Sequence, residues 1–151
     1  MSGDAPDILL VEDNPYDAEL TLRALDRIGL AQRVRVVSDG AAALDYFFAE
    51  GAHAARPVRD LPQLVLLDLK LPKVDGHEVL RRLRSDARTR GLPVVVLTSS
   101  AVDHDVTRSY ELGANSYVVK PVEFDSFAEA VSEIGRYWLE LNATPRGGGT
   151  P

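Results

Sequence analysis

Five strand-sized, largely apolar runs punctuate the chain: Ile8 to Val11 (ILLV), Val34 to Val37 (VRVV), Leu64 to Leu67 (LVLL), Val94 to Leu97 (VVVL) and Ser116 to Val119 (SYVV). They are short and each is strand-sized, so each predicts a strand. The intervening segments change to helical spacing. A first helix is predicted after Asn14, which can cap it, with Pro15 at the first helical position and Asp17 near the positive helix end. It runs to about Ile28, and Gly29 stops it. A second helix covers about Ala41 to Phe48, and a third places Val79, Leu80 and Leu83 on one stripe before Pro93. A fourth spans about Val102 to Leu112 and ends at Gly113. In the fifth, Phe124, Phe127, Ala128, Val131, Ile134, Trp138 and Leu141 recur every three to four residues, which is the clearest helical stripe in the chain. Strands alternating with helices five times over predict an α/β fold with a parallel sheet covered on both faces.

At 151 residues the chain has the length of one domain. That domain is expected over 8–141, with an N-terminal tail over 1–7 and a polar, Gly-rich tail over 142–151 that has too few apolar residues to pack. The 50–62 connection is longer than most αβ loops and carries no chemistry-bearing pattern. Repeats and heptads are absent. A net charge of −6 opposes sequence-independent attraction to nucleic acid or to an anionic membrane. No signal-peptide pattern and no membrane-length apolar run occur, so a cytoplasmic location is expected, to which the absence of Cys is no obstacle.

In open α/β sheets ligands bind outside the carboxyl ends of the strands. Here those ends carry Glu12-Asp13, Asp68, Thr98-Ser99 and Lys120-Pro121. Three carboxylates at short range repel one another unless a cation compensates, and an all-oxygen set suits hard Mg²⁺, with Mn²⁺ or Ca²⁺ as substitutes. In isolation, Glu12 and Asp13 read as acids favoured by a helix N-terminus. Asp68 resists so bland a reading, because it follows a run of buried apolar residues where an unpaired charge is costly. Lys120 stands out in a chain with 14 Arg and three Lys. His53, His77 and His104 lack zinc-ligand spacing and read as surface residues.

The segments LLVEDN, LVLLDLKLPKVDG, VVVLTSS and GANSYVVKP, in this order and at these strand ends, together resemble the receiver domain of two-component response regulators, from about Ile8 to Leu141. The connection after the second helix and the ending RYWLEL are similar to the stand-alone receivers that partner phytochrome-type histidine kinases. The resemblance implies a CheY-like, flavodoxin-like (βα)5 fold with strand order 2-1-3-4-5. It also implies that Asp68 accepts a phosphoryl group from a sensor histidine kinase. Glu12, Asp13, Asp68 and the Lys70 backbone carbonyl would hold Mg²⁺, while Thr98, Ser99 and Lys120 would meet the phosphoryl group. Thr98 and Tyr117 would form a switch acting on the surface of the fourth helix, fifth strand and fifth helix. The Lys120–Pro121 peptide would be cis, aiming Lys120 inward. Lys70 departs from the neutral polar residue frequent at its position and leaves the phosphoryl lifetime open.

A flavodoxin-type or dinucleotide site is disfavoured, because EDNPYD is an anionic loop without the required glycines. An Mg²⁺-dependent phosphatase with an aspartyl nucleophile would carry a second Asp where Lys70 stands, so turnover of external substrates is not expected. A receiver-like binding module that is never phosphorylated would not need the intact set Glu12, Asp13, Asp68, Thr98 and Lys120. A fifth helix reaching Leu141 would be about 27 Å long and would overhang the sheet. Tyr137, Trp138 and Leu141 are therefore candidate contacts of a homodimer, with packing against the first helix or the N-terminus as the alternative. Output is expected to pass through a partner protein that the sequence does not name.

Overall fold

The computed structural model describes residues 6–48 and 61–143. The expectations for most of the 50–62 connection, for most of both tails and for His53 fall outside the described residues. Five strands, β1 (Ile8–Val11), β2 (Val34–Val37), β3 (Leu64–Leu67), β4 (Val94–Thr98) and β5 (Ser116–Val119), form one sheet in the order β2-β1-β3-β4-β5, with every pair parallel. Five helices follow them: α1 (Pro15–Asp26), α2 (Gly40–Phe48), α3 (Gly76–Ser85), α4 (Asp103–Glu111) and α5 (Phe124–Arg136).

Side chains alternate across a strand, so β1 and β3, apolar at every position, each feed two cores. Leu9, Val11, Val65 and Leu67 pack with Ala43, Tyr46 and Phe47 of α2 and with Val79, Leu80 and Leu83 of α3. Ile8, Leu10, Leu64 and Leu66 pack on the other face with Ala18, Ala24 and Leu25 of α1 and with Phe127, Ala128 and Val131 of α5. Right-handed crossovers explain this division. The chain leaves β1 toward one sheet edge and, from β3 onward, builds toward the other, so α1 lies on the face opposite α2 and α3. The crevice between β1 and β3 opens where the direction reverses, at their carboxyl ends.

Asn14 caps α1 as expected, its side chain accepting from the Tyr16 and Asp17 N–H groups at 2.9 and 3.1 Å. Asp75 caps α3 in the same way through the Glu78 N–H. The expected fifth helix departs from plan at its end: α-helical geometry stops at Arg136, and Tyr137–Leu141 form a π-helical turn, closed by the Asn142 N–H on the Tyr137 carbonyl at 2.7 Å. A π turn holds more residues than an α turn, which shifts the apolar stripe. Trp138 and Leu139 pack on the α1–α5 core, whereas Tyr137 and Leu141 are exposed. Trp138 is thus already engaged within the chain, and the overhanging patch is smaller than the spacing predicts.

Candidate functional site

Strand register brings the site together. Val11 lies opposite Leu67 in the β1–β3 pair, so the residues that follow them, Glu12 and Asp68, emerge side by side. Thr98 lies opposite Val119, and the Lys120 N–H donates to the Thr98 carbonyl at 2.8 Å, which carries Lys120 to the same rim. Carboxylate oxygens of Glu12, Asp13 and Asp68 lie within 4.8 Å of one another. Glu12 and Asp68 are buried, and Asp13 is exposed.

Lys120 reaches into this group. Its Nζ donates to Glu12 Oε1 at 2.6 Å, Asp17 Oδ2 at 2.9 Å and Asp68 Oδ2 at 3.2 Å, using the three N–H bonds an ammonium possesses. The Lys120–Pro121 peptide is trans, against expectation. A trans X–Pro bond is the lower-energy form by roughly 0.5–1 kcal/mol, and in it the lysine already points inward, which removes the reason for the cis form.

Burial pushes the Glu12 carboxyl up to about 7; the Lys120 hydrogen bond works against that rise and the Asp68 charge adds to it. For Lys120, burial favours the neutral amine, but the hydrogen bonds to Glu12 and Asp17 and the Asp68 charge outweigh it and hold the ammonium charged above its ordinary range. One ammonium is shared by Glu12, Asp17 and Asp68, with the exposed Asp13 beside them, so acidic groups outnumber the cation at this rim. That surplus and the all-oxygen donor set fit a hard divalent cation.

The other expected residues are placed as follows. Thr98 is buried at the end of β4, and the Ser100 N–H lies 3.5 Å from its hydroxyl oxygen; Ser99 is exposed. Lys70 is exposed, and its N–H donates to Asp68 Oδ1 at 3.3 Å. Tyr117 is half-buried, and its hydroxyl donates to the Ser100 carbonyl at 2.8 Å, while Ser100 Oγ donates to Asp105 at the start of α4. Burial raises the Tyr117 phenol above its usual range. Sequence reasoning missed Asp17 as a partner of Lys120, and Ser100 as the link between β4, α4 and Tyr117. An acid in the first turn of the helix after β1 overlooks the β1 rim, but the helix dipole already accounts for such an acid, so its sequence position did not single Asp17 out. His77, read as a surface residue, is half-buried, with Nε2 3.1 Å from the buried Ser109 hydroxyl.

The sequence profile of the response regulator receiver domain matches residues 8–132. The chain belongs to the response regulator receiver family. Among its relatives is the probable methanogenesis regulatory protein FilR2 of Methanothrix harundinacea, 49% identical over 91% of this chain and 86% of the relative. Among solved structures, the phosphorylated cyanobacterial phytochrome response regulator RcpA superposes with a TM-score of 0.84 at 38% identity, covering 91% of this chain and 96% of that one. The Mn²⁺-bound response regulator Rcp1 gives 0.83 at 37% identity, over 91% and 97%; Rcp1 belongs to Synechocystis. The bacteriophytochrome response regulator RtBRR gives 0.72 at 55% identity, over 93% and 84%. The expected (βα)5 receiver fold and two-component family are thus borne out. Among the described residues no helix is long and apolar enough to cross a membrane.

Proposed function

We propose that this receiver accepts a phosphoryl group on Asp68 from the phosphohistidine of a phytochrome-type sensor histidine kinase. The observation that carries the reading is the convergence of Glu12, Asp13, Asp68 and Lys120 at the switch point of the sheet. An Asp68 carboxylate oxygen attacks phosphorus, the P–N bond to the donor imidazole breaks, and an acyl phosphate forms. Glu12, Asp13 and Asp68 would hold Mg²⁺, with the Lys70 carbonyl as a further ligand; when bound, the ion offsets charge on the transferring group. Lys120 supplies a positive charge against that same group, and Thr98 and Ser99 offer hydroxyl and backbone donors beside it. The nucleophile is a carboxylate oxygen, so the attack calls for no general base.

Output follows from added charge. A phosphoryl group brings roughly −1.5 to −2 charge, by analogy with phosphorylated hydroxyl residues, and new acceptor oxygens. A shift of Thr98 toward it would disturb Ser100, two residues on, and hence both Tyr117 and the start of α4. In this reading the protein works in the cytoplasm, turns over no external substrate, and signals through a protein partner or a second copy of itself across Tyr137, Trp138 and Leu141.

RcpA and RtBRR, named for phytochrome signalling, support the kinase class, while FilR2 bears a name from another pathway. Transfer of radiolabel from a phosphorylated phytochrome-type kinase is the test. Label is expected on the wild type and not on Asp68→Asn. Equal labelling of the two would remove Asp68 from the reaction, and labelling by kinases of other classes alone would remove the phytochrome-type partner.

A further inference from the structure

We propose that Asp17 is a positioning residue for Lys120: its carboxylate keeps the ammonium beside Asp68 when a divalent cation takes over the oxygens of Glu12 and Asp68. The inference rests on the reading of Glu12, Asp13 and Asp68 as the cation site, and concerns what happens to the lysine once that site fills.

Lys120 Nζ has three carboxylate partners, at 2.6 Å (Glu12), 2.9 Å (Asp17) and 3.2 Å (Asp68). Two of the three are candidate cation ligands. A divalent ion among their oxygens repels the ammonium and competes for the same lone pairs, so the lysine loses attraction from Glu12 and Asp68 together. Asp17 is the one partner of the three outside the cation set. Its backbone is fixed at both ends of the residue: the N–H donates to the capping Asn14 side chain at 3.1 Å, and the carbonyl accepts from Thr21 Oγ1 at 2.8 Å.

The Lys120 side chain is 8% exposed and that of Asp17 30%, so the aspartate is the more solvated member of the pair. With Asp17 in place the ammonium keeps a charge-assisted hydrogen bond while it yields the two ligands. Without it, the lysine pairs only with the oxygens the cation requires and becomes a direct competitor. Asp17 thus acts through Lys120 and is no ligand itself.

The test is a double-mutant cycle read by calorimetric Mg²⁺ binding on wild type, Asp17→Asn, Lys120→Gln and the double variant. Asp17→Asn is expected to weaken Mg²⁺ binding roughly three- to tenfold in the wild-type background and much less in the Lys120→Gln background. An equal loss in both backgrounds would mean a general charge effect and would overturn the tether while leaving the cation site standing. Absence of Mg²⁺ uptake by the wild type would overturn both.

Should Lys120→Gln chains not fold, ¹⁵N spectra of the Lys120 side chain in Mg²⁺-saturated wild type and Asp17→Asn decide the matter. Slow ammonium proton exchange in the wild type and fast exchange in the variant is expected. The same exchange rate in both contradicts the proposal.

Discussion

Glu12 shows how one residue can register the state of the whole pocket. It is buried, its Oε1 accepts from Lys120 at 2.6 Å and its Oε2 accepts from the Asn14 N–H at 3.2 Å, yet burial still lifts its carboxyl to about 7. The folded, cation-free protein therefore holds a proton at mildly acidic pH that the unfolded chain has released, so Glu12 lowers stability as pH rises through that window. A cation requires the ionised form, so binding displaces the proton below about pH 7. Mg²⁺ affinity is expected to tighten roughly tenfold between about pH 6 and pH 8, by titration calorimetry, and to flatten in Glu12→Gln. A flat wild-type profile would contradict the role of burial. Asp68 was legible in the sequence because an acid directly after LVLL is anomalous on polarity grounds. Asp17 was not, because an acid in a first helical turn has an adequate local explanation in the helix dipole. The Lys120–Pro121 geometry could not be read from sequence either, since both isomers are compatible with the same residues.

The elements are held at the site by close backbone approaches that sequence periodicity does not display. Gly76 opens α3 directly against the segment that carries Asp68: a Cβ there would stand 2.3 Å from the Asp68 carbonyl oxygen and 2.6 Å from the Leu69 Cα. The nearest atoms to a Cβ at Gly135, on α5, are the side-chain ends of Leu25, Leu30 and Ile28, at 3.1 to 3.4 Å. Gly76→Ala must displace backbone, whereas Gly135→Ala asks flexible leucine and isoleucine tips to move. By urea denaturation Gly76→Ala is expected to cost about 2 kcal/mol or more, and Gly135→Ala about 1 kcal/mol or less. Comparable losses would show that the β3–α3 turn is not tightly fixed. Existence and order of the elements were legible because each apolar run is bounded by caps or breakers, as at Asn14, Gly29 and Gly113. The end of α5 was not, because a regular stripe continues to Leu141 in sequence while the π turn moves Leu139 onto the core and leaves Leu141 in solvent. Local spacing does not encode the switch from α to π geometry.

For the whole molecule, the decisive feature is topology. Strand order 2-1-3-4-5 sets the ends of β1 and β3 beside each other, and the register of β4 and β5 brings Lys120 from 108 residues away in sequence into contact with Glu12. Four weak local signals become one site only when the sheet is assembled, so motif order along the chain was informative where each motif alone was not. The exposed Tyr137 and Leu141 leave a modest apolar surface beside the engaged Trp138, and the proposed homodimer would cover it. Light scattering at micromolar concentration is expected to give a dimeric mass that Leu141→Glu reduces toward the monomer; a monomer with and without phosphorylation would remove this interface. In the proposed function the assembled acids and lysine make Asp68 a phosphoacceptor. Intact-mass spectrometry after incubation with acetyl phosphate and Mg²⁺ tests it most directly. The wild type is expected to gain the mass of one phosphoryl group, chelation of the metal to abolish the gain, and Asp68→Asn to gain nothing. An unmodified wild type, or an equal gain in Asp68→Asn, would contradict the account.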